Sequence, residues 1–145
     1  MHRLGLVLLT TFSLFLFTGA LSSQLETNAD TERDLFRSLS LVQHGELPQQ
    51  GPAIDHLPLT LGPGWYFLVA PPLAITQNPV AIHWWHVAWL IAGLCALCIA
   101  LKAFLGTGFS LAVGTMIVSS AWLAAVMTKI WHNAMLPGMA LLWVA

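Results

Sequence analysis

The sequence predicts an all-α membrane protein with three transmembrane helices and part of a fourth. Three observations carry that prediction. Of 145 residues, 57% are hydrophobic and 8% are charged, against about 25% charged residues in ordinary soluble domains. The mean hydropathy is +0.76, and the apolar residues gather in uncharged runs close to the roughly 20 residues that cross a bilayer core. Two of these runs are joined by the short turn "KAFLGTG", which leaves room only for a helical hairpin.

The first run, Leu4 to Leu21, is "LGLVLLTTFSLFLFTGAL". Arg3 ahead of it and the small residues Thr18, Gly19, Ala20 and Ser22 behind it also fit a cleavable leader. A retained signal anchor is the preferred reading, and either one carries the following residues out of the cytoplasm. The second span covers about 80–101 and the third about 109–127, with Lys102 marking the water-facing end of their turn. Ala88, Ala92, Ala96 and Ala100 recur every four residues on the second span, as do Ser110 and Gly114 on the third. Such small-residue ridges let helix backbones approach closely. A fourth apolar run, about 135–145, is shorter than a span, so the chain is expected to stop inside a helix. The whole is read as one transmembrane domain, 1–145, with an outer loop at about 22–79.

Five of the six acidic residues, Glu26, Asp30, Glu32, Asp34 and Glu46, fall in one short stretch of that loop between the first two spans. From Thr31 the apolar residues Leu35, Leu39 and Val42 advance by four and three, and Phe36 widens the stripe. This spacing predicts an amphipathic helix over about 31–44. "TERD" fits a capping box, and Gly45 is a stop signal. A helix lying on the membrane surface would hold Asp30, Glu32 and Asp34 at the lipid–water boundary. Asp30 and Asp34, four residues apart, share a face. These acids fit a solvated helix start, or a carboxylate placed to take a proton from an acceptor hydroxyl.

The remaining features bound the function. A net charge of −1 with no Lys/Arg run gives no footprint for nucleic acid. Cys95 and Cys98 lie in an apolar run with no further ligands nearby, and no metal site is expected. Pro63 suits a first helical turn and Pro71-Pro72 is expected to stop the run in "GPGWYFLVAPPLAI", giving a short surface or re-entrant helix. Trp65 and Tyr66 offer rings for stacking on a sugar or for interfacial anchoring, while Trp84, Trp85 and Trp131 fit an aromatic belt. His83 and His86, with His132, present imidazoles that suit a haem, a pigment or a metal. Lys129 suits a lipid phosphate or snorkelling to the interface. Lys/Arg counts leave the topology undecided.

"DTERD" (Asp30 to Asp34), "HGELPQQGP" (His44 to Pro52), "LGPGWYFLVAPPLAI" (Leu61 to Ile75) and "KIWHNAMLP" (Lys129 to Pro137) together resemble, in order and spacing, the N-terminal part of the GT-C type membrane glycosyltransferases. The pattern is that of bacterial family 39 and protein-mannosyltransferase-like proteins, and it covers most of the chain from Asp30 on. The resemblance implies a polytopic enzyme of the bacterial plasma membrane that takes a sugar from a polyprenyl-phosphate carrier and transfers it on the outer face. It implies an aspartate of the first outer loop as general base, here Asp30, with Asp34 as competitor. Glu32, Tyr66, Lys129 and His132 complete the candidate substrate contacts, with no cofactor. His132 stands where the family carries Asn, with Asn133 one step later. The family's further spans imply that these 145 residues are a fragment with little activity alone. The alternative is a small non-enzymatic membrane subunit that packs on a larger partner and holds a cofactor through its histidines.

Overall fold

A computed structural model describes residues 29–51, 62–128 and 135–145. Every regular element among them is helical: α1 (Ala29–His44), α2 (Gly64–Ile75), α3 (Val80–Val118), α4 (Ala121–Met127) and α5 (Leu136–Val144). The expected first span at 4–21 and the segment holding Lys129, Trp131 and His132 lie outside the described residues.

The amphipathic stripe forms α1 as its spacing predicts. Leu35, Leu39 and Val42 pack with Trp65 onto a core of Val69, Leu73 and Ile82, so the face is covered by α2 and by the start of α3. Two details differ from expectation. The helix begins at Ala29, which puts Thr31 inside it and buried rather than at its cap. Phe36 lies off the stripe and is 73% exposed. Gly45 does end the helix: its φ of +70° is left-handed, and its N–H donates to the Leu41 carbonyl at 3.0 Å, a 5→1 closure.

Pro71 and Pro72 fail to stop α2, which runs on to Ile75. A proline inside a helix frees the carbonyl four residues earlier, and that carbonyl needs another donor. For Pro72 this is Leu68, whose carbonyl accepts the Trp85 indole N–H at 2.9 Å. Trp85, read from the sequence as part of an interfacial belt, instead ties α2 to α3.

α3 is two arms. At Gly106 the backbone takes φ +82° and ψ 170°, a conformation reserved for glycine, and the chain reverses. The hairpin expected from "KAFLGTG" is therefore present, and side chains stitch its arms together. Ser110 Oγ donates to the Cys98 carbonyl at 2.8 Å, and Ile117 and Val118 of the second arm pack on a core of Val87, Leu90 and Leu94 of the first arm with Leu123 and Met127 of α4. The expected third span at 109–127 is broken, however. Ser119 and Ser120 turn their hydroxyls to local backbone, Ser119 Oγ to the Met116 carbonyl and Ser120 Oγ to the Leu123 N–H. Serines compete with a helix in this way, and Ser120 becomes the cap that starts α4.

Glycines let α5 approach α3 closely. A Cβ on Gly138 of α5 would lie 2.6 Å from the Trp89 backbone, and one on Gly93 would lie 2.5 Å from the Gly138 carbonyl. The alanine ridge does not supply this contact, because Ala88 and Ala92 face outward. By length and composition α3 is apolar enough to cross a membrane, with a mean hydropathy of 2.2 in its best window.

Candidate functional site

The site follows from how α1 meets α2. Burying the Leu35, Leu39 and Val42 stripe turns the neighbouring positions Thr31, Asp34 and Ser38 inward as well, and all three are buried. An ionised carboxylate brought out of water needs charged or hydrogen-bonding partners. Asp34 has them. Its Oδ1 accepts from Arg33 Nε and Nη2, both at 3.2 Å, and from the Tyr66 hydroxyl of α2 at 3.2 Å. Tyr66 in turn accepts from Arg37 Nη1 at 3.4 Å, and Ser38 Oγ donates to the Asp34 carbonyl at 2.8 Å.

Asp30 sits one turn earlier and is different in kind. Its side chain is 59% exposed, against 6% for Asp34, and it pairs with Arg33 Nη1 at 3.0 Å. Arg33 therefore grips both acids, the exposed one with one nitrogen and the buried one with its others. Both Asp30 and Glu32 lie in the first turn of α1, where the helix dipole favours negative charge.

Tyr66 is fully buried. Burial pushes its phenol above the ordinary value, the negative charge of Asp34 adds to this, and Arg37 opposes it. It is a neutral donor at any ordinary pH. A ring with no exposed face cannot stack on a sugar, so the substrate contact expected of Tyr66 is replaced by a structural one. Trp65 is half-buried against the same core, with its ring 5.7 Å from that of His86.

The candidate residues thus divide. Asp30, Asp34 and Tyr66 come together across α1 and α2, Glu32 is exposed on the outer side of α1, and Lys129 and His132 lie outside the described residues. Arg33, Arg37 and Ser38 belong to the same cluster and were not singled out from the sequence. Their spacing was the available signal, since Asp30–Arg33, Arg33–Arg37 and Asp34–Ser38 are each three or four apart and so share faces of one helix.

The histidines are placed elsewhere. His83 and His86 are buried at the start of α3, and His83 Nδ1 donates to the Met127 carbonyl at 3.1 Å, closing the end of the hairpin. Neither ring nitrogen of His86 has a hydrogen-bond partner among the described residues. No group of three His, Cys, Asp or Glu side chains able to hold a metal occurs among the described residues.

Comparisons of the chain with protein-family models, with curated proteins and with solved structures find no match.

Proposed function

We propose that the chain is the N-terminal portion of a bacterial plasma-membrane glycosyltransferase, which moves a sugar from a polyprenyl-phosphate carrier to an extracytoplasmic acceptor. One observation carries the reading: an exposed carboxylate, Asp30, is anchored through Arg33 to a buried one, Asp34, which is itself bonded to α2. A general base must be reachable by substrate and held in place. Asp30 answers the first need, and the Arg33–Asp34–Tyr66 chain behind it answers the second.

In this mechanism the acceptor hydroxyl approaches the anomeric carbon of the carried sugar while Asp30 removes its proton. The new C–O bond forms as the bond from the sugar to phosphate breaks, and polyprenyl phosphate leaves with the bonding pair. Asp34 acts as a positioning residue, and Arg33 keeps the two acids from repelling each other. Lys129 and His132, with Glu32, are the candidates for contacts to the donor phosphate and sugar.

A membrane setting is supported by the surface of the hairpin and of α4. Ile99, Phe104, Met116 and Trp122 are 71%, 85%, 73% and 67% exposed, an apolar coat that lipid or neighbouring spans would cover. The α1–α2 unit packs at the Val80 end of the hairpin, opposite Lys102 and the Gly106 turn. With Lys102 inside, the orientation that the glycosyltransferase resemblance implies, the acids face the outside.

The test is sugar transfer from polyprenyl-phosphate hexoses and pentoses by membranes holding the protein at its natural length. Asp30→Asn is expected to lower turnover about a hundredfold or more. Unchanged turnover in an Asp30→Asn, Asp34→Asn double variant contradicts the mechanism.

A second reading, a non-enzymatic membrane subunit, is favoured by the outward ridge of Ala88 and Ala92, which suits the close approach of a partner helix. A Soret or red absorption band in the purified protein would favour that reading.

A further inference from the structure

The turn at Gly45 folds the following segment back over the exposed side of α1. Phe36, Arg37 and Ser40 of the helix face Glu46, Leu47, Gln49 and Gln50 across an open groove of about 340 Å³. That volume is in the range of small-ligand sites, about 300–1,000 Å³. This is the "HGELPQQGP" stretch that the catalytic reading leaves without a role.

The lining is of two kinds. Phe36 and Leu47 are 73% and 71% exposed, apolar surfaces that no described part of the chain covers. Beside them are two amides, each with two donors and an acceptor, one carboxylate and one guanidinium. Glu46 is fixed by the Ser40 hydroxyl, which donates to its carboxylate. The charges of Arg37 and Glu46 oppose each other, so an anion such as a phosphate would meet a carboxylate as well as a cation. A pyranose fits the whole set: its C–H face lies on an aromatic ring, and its hydroxyls take both donors and acceptors.

From this lining we infer that the groove is a binding site for a neutral saccharide, and that it receives the sugar acceptor; this second point rests on the glycosyltransferase reading. The position suits that role. Arg37 lines the groove and also donates to Tyr66, which joins the groove to the cluster behind Asp30. Asp30 and Arg37 are seven residues apart on one helix, about 10 Å along its axis, so the base lies beyond a single sugar held over Phe36 and is met only by an acceptor that extends from the groove toward the start of α1.

Saturation-transfer NMR on the protein in phospholipid nanodiscs, which avoid sugar-headed detergents, tests the site with methyl hexosides and with inorganic phosphate as probes. Methyl hexosides should bind, with Phe36→Ala and Gln50→Ala each weakening them about tenfold, the size of an aromatic or hydrogen-bond contact. Both positions are exposed, and unchanged far-UV circular dichroism confirms that the variants fold. Binding of phosphate alone, of neither probe, or of hexosides equally by wild type and variants overturns the inference. Asp30→Asn should leave hexoside binding intact. If that variant also keeps full transfer activity while Phe36-dependent binding persists, the groove stands and the assigned base falls.

Discussion

The α1–α2 clasp and the α3–α5 bundle solve the same packing problem with opposite means. In the clasp, helices separated by a long connection are joined by a carboxylate, two guanidiniums and a phenol around Asp34. In the bundle, glycines let backbones touch at Gly93 and Gly138, and the polar bonds go to main-chain carbonyls, as from Ser110 to Cys98 and from His83 to Met127. The bundle is therefore governed by shape and the clasp by charge. They should respond to different perturbations.

The largest effect is expected from shape. Gly138→Leu drives a side chain into the Trp89–Leu90 backbone, which has no room to yield. Unfolding free energy should fall by about 3 kcal/mol or more, measured by denaturant titration in a mild detergent, with α5 released from α3. Amide exchange in α1 should stay unchanged.

Tyr66→Phe is the converse. It removes one of the three donors to a buried carboxylate, a loss of about 1.5–3 kcal/mol for a hydrogen bond to a charged group. Faster exchange should be confined to α1 and α2. The same residue gives a pH dependence. Because the folded phenol is raised above its ordinary value, the clasp should be fully stable below about pH 10, where the unfolded tyrosine is still protonated, and should weaken as pH climbs beyond it. The chain has one tyrosine, so phenolate absorbance follows this single group. A midpoint at or below 10 would contradict its burial beside Asp34.

Trp85→Phe probes the seam between the two regions. Losing the indole N–H leaves the Leu68 carbonyl, already freed by Pro72, without its donor. The cost should be about 1–2 kcal/mol, read as a lower melting temperature with both regions loosened together. Asp30→Ala is expected to have the smallest effect on stability, under about 1 kcal/mol, because its ion pair with Arg33 lies largely in water.

What could be read from the sequence follows the same division. The stripe of α1, its glycine stop and the hairpin around Gly106 rest on local spacing, and each is visible in a short window. The approach of Gly93 to Gly138 joins residues far apart in sequence, and no local pattern announces it. Ala88 and Ala92 of the alanine ridge have the right spacing for close packing yet face outward, since periodicity marks a face without naming its partner. The continuation of α2 through Pro71-Pro72 depends on a tryptophan from another helix. The break at Ser119-Ser120 was legible in principle, because paired serines in an apolar run bond their own backbone.

For the site, spacing placed Asp30 and Asp34 on one face but could not separate their roles. Burial separates them. Asp34 faces α2 because it flanks the apolar stripe, while Asp30 lies where the helix begins, beyond the cover of Tyr66.

The account stands on Asp30 being reachable from the extracytoplasmic side while the buried face of α1 is not. Asp30→Cys and Ser38→Cys, each in a Cys95→Ser, Cys98→Ser background, can be treated with a membrane-impermeant maleimide on intact cells. Rapid labelling of the first variant with none of the second is the predicted result. Labelling of Asp30→Cys only after the membrane is opened would contradict it.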